Sequence, residues 1–254
     1  MARSGSAVRV ESTAAGTAQT DEDAGRRATK PLQSRHYRRA QHDRGAETRL
    51  RLLDAALDIF GRYGFEGATT RQIARDAGAN LAAIVYHFGS KEALHNAVAE
   101  HVAQHILTSA GPALAAAGEP AANASPQAAR EMFCRLIENY VEIMLGSADA
   151  ERWARFIVRE QMQPTSAFDV IYRVTGGATG TATRLVATAL GREEDDEIKL
   201  RVFAIFGQVL FFRVAQAMVL RRMGWAAIGP RERAEIKRIV SSHINAILDE
   251  AGAK

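Results

Sequence analysis

From Glu47 onward, apolar residues recur at spacings of three and four, and no stretch alternates strictly enough to read as a strand. Leu50, Leu53, Leu57 and Phe60 make a stripe on one face of a first helix. Gly64 fits the left-handed position just past a helix end, and Phe65 follows as an apolar anchor. Thr69 and Thr70 are good N-caps, and Gln72 stands where it closes a capping box on Thr69. Ile73, Ala74 and Ala77 then give a short second helix that ends at Gly78. Asn80 caps a third short helix running to about Tyr86 or His87. Gly89 breaks it, and Ser90 opens a longer fourth helix carrying Leu94, Ala97, Val98, His101, Val102, His105 and Ile106.

The stretch 111–127 holds three of the six prolines and reads as a loop, with room for a helical turn. Helices are expected to dominate thereafter. Met132, Leu136, Tyr140, Ile143 and Met144 predict one over about 127–146. Trp153, Phe156, Ile157 and Met162 predict the next, stopped by Pro164. Another spans Phe168 to Leu190, with Gly176, Gly177 and Gly180 inside it. The acidic run Glu193 to Glu197 suits the positive N-terminus of a following helix. That helix is expected to reach Met223 unbroken. It is apolar almost all round and should be buried on both sides. Pro230 can open a last helix carrying Ile236, Ile239, Val240, Ile244 and Ile247. The fold class is all-α.

Three short helices within about forty residues, with a Gly-containing turn between the second and third, make the helix-turn-helix pattern. In that pattern the N-terminus of the second helix meets a phosphate, because its free N–H groups and dipole favour an anion. The third must be slim on one face to enter a major groove. The stretch RLLDAALDIFGRYGFEGATTRQIARDAGANLAAIVYHFGSKEALHNAV resembles the DNA-binding domain of the TetR family of transcriptional repressors. The matching pieces include Gly64-Phe65, Thr69-Thr70, Ile73-Ala74, Ala77-Gly78 and Tyr86-His87-Phe88-Gly89-Ser90-Lys91-Glu92-Ala93-Leu94. Arg159-Glu160-Gln161, Pro164-Thr165 and Phe168-Asp169 resemble the CecR-like branch, with its distinct C-terminal domain.

Composition implies a disordered basic arm over 1–44, and the resemblance implies a DNA-binding domain over 45–90 and a helical ligand-binding and dimerisation domain over 91–254. The resemblance also places Thr70 and Arg71 at a phosphate. Asn80, Leu81, Ala82, Ala83 and Val85 fall in the groove, and Tyr86, His87 and Lys91 on the DNA backbone. Ile73, Ile84 and Phe88 read as core. The sequence departs from family habit in its recognition helix, which has no Arg, Lys or Gln and carries Val at 85. Bidentate base readout is therefore missing there, leaving Asn80 for polar contact and apolar residues for thymine methyls.

Charge sharpens this picture. The formal net charge is +4 over 254 residues, and residues 1–44 hold nine basic against five acidic residues, so the excess sits there. Residues 45–101 carry six basic and seven acidic groups, little electrostatic drive for a DNA reader. Between Arg26 and Arg44 there are seven basic residues and one acid, so Arg44 and its neighbours are expected to neutralise phosphates and reach a minor groove. Few large apolar residues precede Arg44, so disorder is expected there. No run approaches the roughly 18 apolar residues of a membrane span, and the N-terminus lacks a secretory h-region. A single cysteine, Cys134, excludes an intramolecular disulfide. A cytoplasmic protein is expected.

For the body, the resemblance implies a homodimer built on the last two helices, with Phe203, Phe206, Leu210, Ile236, Val240 and Ile244 contributing. A two-fold dimer implies a pseudo-palindromic double-stranded DNA operator. Candidate effector-pocket residues are Tyr140, Met144, Trp153, Phe156, Arg159, Gln161, Tyr172, Gln208 and Phe211. Each aromatic has a core alternative, and Arg159 has ion-pair candidates in Glu160 and Asp169. The glycines at 176, 177 and 180 follow no strand and precede no lysine, so no phosphate loop is expected. His101 and His105 share a helix face without a third ligand in reach. No cofactor, metal or enzymatic activity is expected. The expected function is a repressor released from its operator by a small hydrophobic or drug-like effector. The competing expectation is a ligand-independent DNA-binding or partner-recruiting protein.

Overall fold

In the computed structural model, residues 33–118, 124–146 and 148–252 are described. They form ten helices, with no strand among the described residues. These are α1 (Gln33–Gly67), α2 (Thr70–Asp76), α3 (Leu81–Phe88), α4 (Lys91–Gly118), α5 (Pro126–Leu145), α6 (Ala148–Met162), α7 (Ser166–Leu190), α8 (Asp196–Val214), α9 (Gln216–Met223) and α10 (Pro230–Gly252). The chain divides into two units, residues 1–43 and residues 44–254, and everything below concerns the second unless stated. The expected disorder of the arm falls mostly on residues outside the described set. Where it overlaps α1 it is corrected, because 33–44 are helical.

Local chemistry accounts for most helix starts. Ser90 Oγ accepts from the Ala93 amide at 3.1 Å, Ser125 Oγ from Ala128 at 3.2 Å, and Asp195 Oδ1 from Ile198 at 2.8 Å. Asp196 and Glu197 complete the acidic first turn of α8.

Two cores organise the unit. The first joins α1–α4 through Leu53, Leu57, Phe60, Ile73, Ile84, Leu94 and Val98, and is completed by Trp153 and Phe156 of α6 and Ile171 of α7. The second joins α5, the later half of α7, α8 and α10 through Phe133, Leu185, Val202, Val209, Ile236 and Ile244. Helix α7 thus serves both cores in turn.

Several expectations change. Leu50 begins the α1 stripe in sequence yet is 52% exposed, because the buried face starts at Leu52 and Leu53. Gly64 has the positive φ expected of it, but at φ 73°, ψ 177° it is extended rather than left-handed helical. Only glycine adopts that geometry readily. The stretch from 111 is not loop as far as Gly118, because α4 runs through Pro112 on a train of alanines. Strong helix formers there outweigh the proline's lost N–H. Helix α8 stops at Val214, and α9 leaves it at 75° through Ala215, where no glycine or proline signals a break. Nor is α8 buried all round, since Leu200, Phe203, Phe211 and Val214 face outward. Ile236, Val240 and Ile244 lie in the chain's own core rather than on a partner-facing surface. No single helix among the described residues is long and apolar enough to cross a membrane.

Candidate nucleic-acid interface and effector cleft

The α2–α3 pair is fixed by its own caps. Thr69 Oγ1 accepts from the Gln72 amide at 3.2 Å, and Gln72 Oε1 accepts from the Thr69 amide at 3.1 Å, the reciprocal box expected from the sequence. Gly78 turns the chain at φ 57°. Asn80 Oδ1 accepts from the Ala82 amide at 3.0 Å and so caps α3, leaving the side-chain N–H groups as donors. Ile73, Ala74, Ala77 and Ile84 are buried beneath.

What remains outside is a slim face. Val85 is 65% and Tyr86 84% exposed, with Leu81, Ala82, Asn80 and Arg71 beside them. Thr70, Ala83 and His87 are half-buried at the edge. Lys91 sets its ammonium 4.4 Å above the Phe65 ring, and Arg49 covers Phe88 at 5.1 Å. Arg44 is exposed on α1. Of the sequence-predicted DNA residues from Thr70 to Lys91, Arg71, Asn80, Leu81, Ala82, Val85 and Tyr86 are exposed, and Thr70, Ala83, His87 and Lys91 are half-buried.

Behind this face lies a polar node that sequence reasoning missed. His95 of α4 is buried, with Nε2 3.4 Å from Glu160 Oε1 of α6. Glu160 Oε2 accepts from both the amide and hydroxyl of Thr165, at 3.1 and 2.8 Å, while Thr165 caps α7. Phe60, Phe65 and Phe156 surround the imidazole, with ring centroids 4.5, 5.1 and 5.1 Å away. Burial, helped by the Lys91 charge, pushes the His95 pKa down to about 4. The available signal was a polar residue set between Leu94 and Val98 on the apolar face of α4.

Helix α6 also grips α1 directly. Arg152 donates to Asp58 Oδ1 and to the Asp54 carbonyl, each at 2.8 Å. Arg159 donates to the Arg62 carbonyl at 3.1 Å and lies against Gly64. Neither Glu160 nor Asp169 pairs with Arg159. Successive helical residues point about 100° apart, and Glu160 is taken up by His95 and Thr165.

The nine candidate pocket residues do not line one cavity. Trp153 and Phe156 belong to the core beneath α1, and Met144 and Tyr140 to the other core, where Tyr140 packs on Phe206. Burial raises the Tyr140 pKa to about 12, so its phenol stays protonated. Gln161 and Tyr172 are exposed. Gln208 bonds His243 at 2.9 Å and, with Phe211, lines an apolar cleft of about 520 Å³ between α8 and α10. Arg159 lines a different cleft of about 330 Å³, between Gly61 of α1, α6 and the end of α8. His105 packs on Trp153, ring centroids 3.9 Å apart, and no group of three or more metal-binding side chains occurs among the described residues. Burial pushes the Cys134 thiol pKa up, away from the thiolate that a redox sensor needs.

Comparison with known proteins accords with this geometry. Residues 52–98 match the family described as bacterial regulatory proteins, tetR family. Residues 129–251 match the C-terminal domain of the HTH-type transcriptional dual regulator CecR. The CecR protein of Shigella flexneri is 36% identical over 81% of this chain and 93% of its own length. The chain belongs to the TetR family, in the CecR branch. As a TetR-family member it is a DNA-binding transcriptional regulator, and its relatives are regulators rather than enzymes. Two solved structures share the fold at low identity. AibR, in complex with isovaleryl coenzyme A and operator DNA, is 13% identical, covers 77% of this chain and 97% of its own, and has a TM-score of 0.56. FadR of Bacillus subtilis, in complex with stearoyl-CoA, is 14% identical, covers 77% and 96%, and has a TM-score of 0.52.

Proposed function

We propose that this TetR-family regulator acts as a homodimeric repressor, released from a pseudo-palindromic operator by a small hydrophobic or drug-like effector. One observation carries the reading. The core beneath α2 and α3 is completed by Trp153, Phe156 and Ile171, side chains from helices of the C-terminal body. A ligand that shifts α6 or α7 therefore shifts the ground on which the DNA-reading face stands. Such a ligand acts through its differential affinity for the two arrangements.

Residues 45–90 serve as the reading head and 91–254 as the body, with the basic arm of 1–44 adding phosphate contacts. In the groove, Leu81, Ala82, Ala83 and Val85 meet thymine methyls and Asn80 donates from its amide, while Thr70, Arg71, Tyr86, His87 and Lys91 hold the phosphates on either side. The dimer forms through the outward face of α8, where Phe203 and Phe211 stand exposed in the single chain. AibR and FadR, each solved with an acyl-CoA, make an effector in the helical body a reasonable expectation. DNA as partner implies a cytoplasmic location.

The test is selection of bound sequences from random duplex DNA with the purified chain, followed by a small-molecule release screen on the selected operator. Enrichment of a two-fold sequence, and its release by some compound, is the expected result. A ligand-independent binder would give the sequence but no compound that both raises the melting temperature and frees DNA. A second sign of control is favoured by one observation, that the CecR relative is named a dual regulator. Transcription assays with the operator at different distances from a promoter separate repression from activation.

A further inference from the structure

The cleft between α6 and α8 has an unusual charge arrangement. Three arginines, Arg155, Arg159 and Arg213, stand around it with one acid, Glu151. Glu151 is taken by Arg155, 2.5 Å away and one helical turn on. Arg159 donates only to a backbone carbonyl, that of Arg62. Arg213 is the most constrained of the three. It is 9% exposed, with Nε donating to the Met144 carbonyl at 2.6 Å and Nη1 to Gln216 Oε1 at 2.9 Å. Neither Arg159 nor Arg213 forms an ion pair among the described residues. Glu151, already paired with Arg155, also acts on Arg213 through space, so one carboxylate serves three guanidiniums and a bound anion would balance the remaining charge.

The rest of the lining is apolar apart from Gln163. Val158, Met162 and Val214 flank the two arginines, and on the α1 side Gly61 packs against the Arg155 side chain. The volume, about 330 Å³, falls at the lower end of the roughly 300–1,000 Å³ found for small-molecule sites.

We infer that this cleft binds an anionic amphiphile, its carboxylate held by Arg159 and Arg213 and its alkyl portion lying on Val158, Met162 and Val214. The inference rests on the effector-responsive reading above and names the chemistry and place of the effector. It also supplies the route to DNA. Arg159 now bonds the Arg62 carbonyl beside the Gly64 kink that ends the helical run of α1. A carboxylate in the cleft competes for that guanidinium, so occupancy weakens the hold of α6 on α1. The second cleft, between α8 and α10, has no comparable charge. Its lining is Gly207, Gln208, Phe211, Phe212, Ile239, Val240 and His243, and Gln208 and His243 bond each other.

The test is calorimetric titration of the full chain with decanoate, decanol and acetate, each below its aggregation threshold. Decanoate is expected to bind at least ten times more tightly than either analogue, since decanol lacks the charge and acetate the chain. Arg159→Gln and Val158→Glu should each weaken decanoate binding at least tenfold, with circular dichroism melting curves checking that both variants fold. Arg213→Gln is not relied on, because Arg213 also ties α8 to α5. Absence of decanoate binding, equal binding of decanol, or indifference to both substitutions overturns the inference. If Arg159→Gln instead alters only sedimentation, the cleft is covered by a second copy and the inference is likewise overturned. Operator release is scored separately. Decanoate that binds without freeing DNA leaves the site standing and counts against the effector-released reading. Release by other compounds that persists in Val158→Glu, with decanoate inert, does the reverse.

Discussion

His95 Nε2 lies 3.4 Å from Glu160 Oε1, and the two side chains meet where α4, the helix that follows the reading head, approaches α6, both withdrawn from solvent. A neutral imidazole with its proton on Nε2 can donate to that carboxylate. Burial, helped by the Lys91 charge, keeps a second proton off His95 in the folded chain until about pH 4, whereas the unfolded chain accepts one near pH 6.5. Between those values the unfolded state binds more protons, so stability rises with pH through the window and falls on acidification. The slope from this residue reaches at most about 1.4 kcal/mol per pH unit. Chemical denaturation between pH 4 and 7.5 should show it, and His95→Gln, which retains a donor for Glu160, should flatten it. An unchanged slope in the variant rules out His95 as the source.

Gly64 sits at φ 73°, ψ 177°, and a Cβ there would stand 3.1 Å from the Arg159 side chain. Gly64→Ala is expected to destabilise by about 1–3 kcal/mol, from backbone strain together with displacement of Arg159. Gly177, inside α7 with open space around it, is the contrast. Gly177→Ala should be neutral or stabilising by up to about 1 kcal/mol. Urea midpoints of the two variants measure the difference.

Phe203 is 57% exposed on α8, while Ile236 on α10 is buried in the same chain. Phe203→Asp is expected to yield a folded monomer by sedimentation. Its affinity for a two-fold operator should fall by about 10²–10⁴-fold as the second half-site goes unread. Ile236→Asp should unfold the body instead. A Phe203→Asp protein that remains dimeric would move the interface elsewhere.

The arm carries the charge that the head lacks. Arg35, Arg38 and Arg39 lie in a segment with seven basic residues and one acid. Replacing all three with Gln should lower the slope of log K against log salt by up to about 0.9 for each phosphate no longer neutralised. Operator preference should change little if these arginines touch phosphates alone. Binding isotherms at several salt concentrations decide this.

The starts of α2, α3, α4 and α8 were legible in sequence because each cap is an interaction over two or three residues. Thr69 with Gln72, Asn80 with Ala82 and Asp195 with Ile198 need nothing from the rest of the chain. What could not be read depends on partners roughly seventy to a hundred residues away. Arg159 binds a carbonyl at residue 62, Arg213 one at residue 144, and His95 meets Glu160. The turn at Ala215 belongs with these, since alanine favours helix and Arg213 beside it is tied across to α5. The exposed side of α3 was legible because burial of Ile84 forces its neighbours outward. The effector residues were not, because aromatic side chains at helical spacing fill cores as readily as they line clefts.

The contribution of α6 and α7 to the first core bears on how such proteins diversify. Trp153 and Phe156 fill space under α1 that no residue of the first four helices occupies. Exchanging reading heads between relatives by cutting after α4 would leave a hole in the recipient and an unshielded aromatic face in the donor. A graft that keeps its grip on DNA must carry the α6 surface with it. New operator preferences are therefore easier to reach by substitutions on the outer side of α3 than by recombination of whole domains.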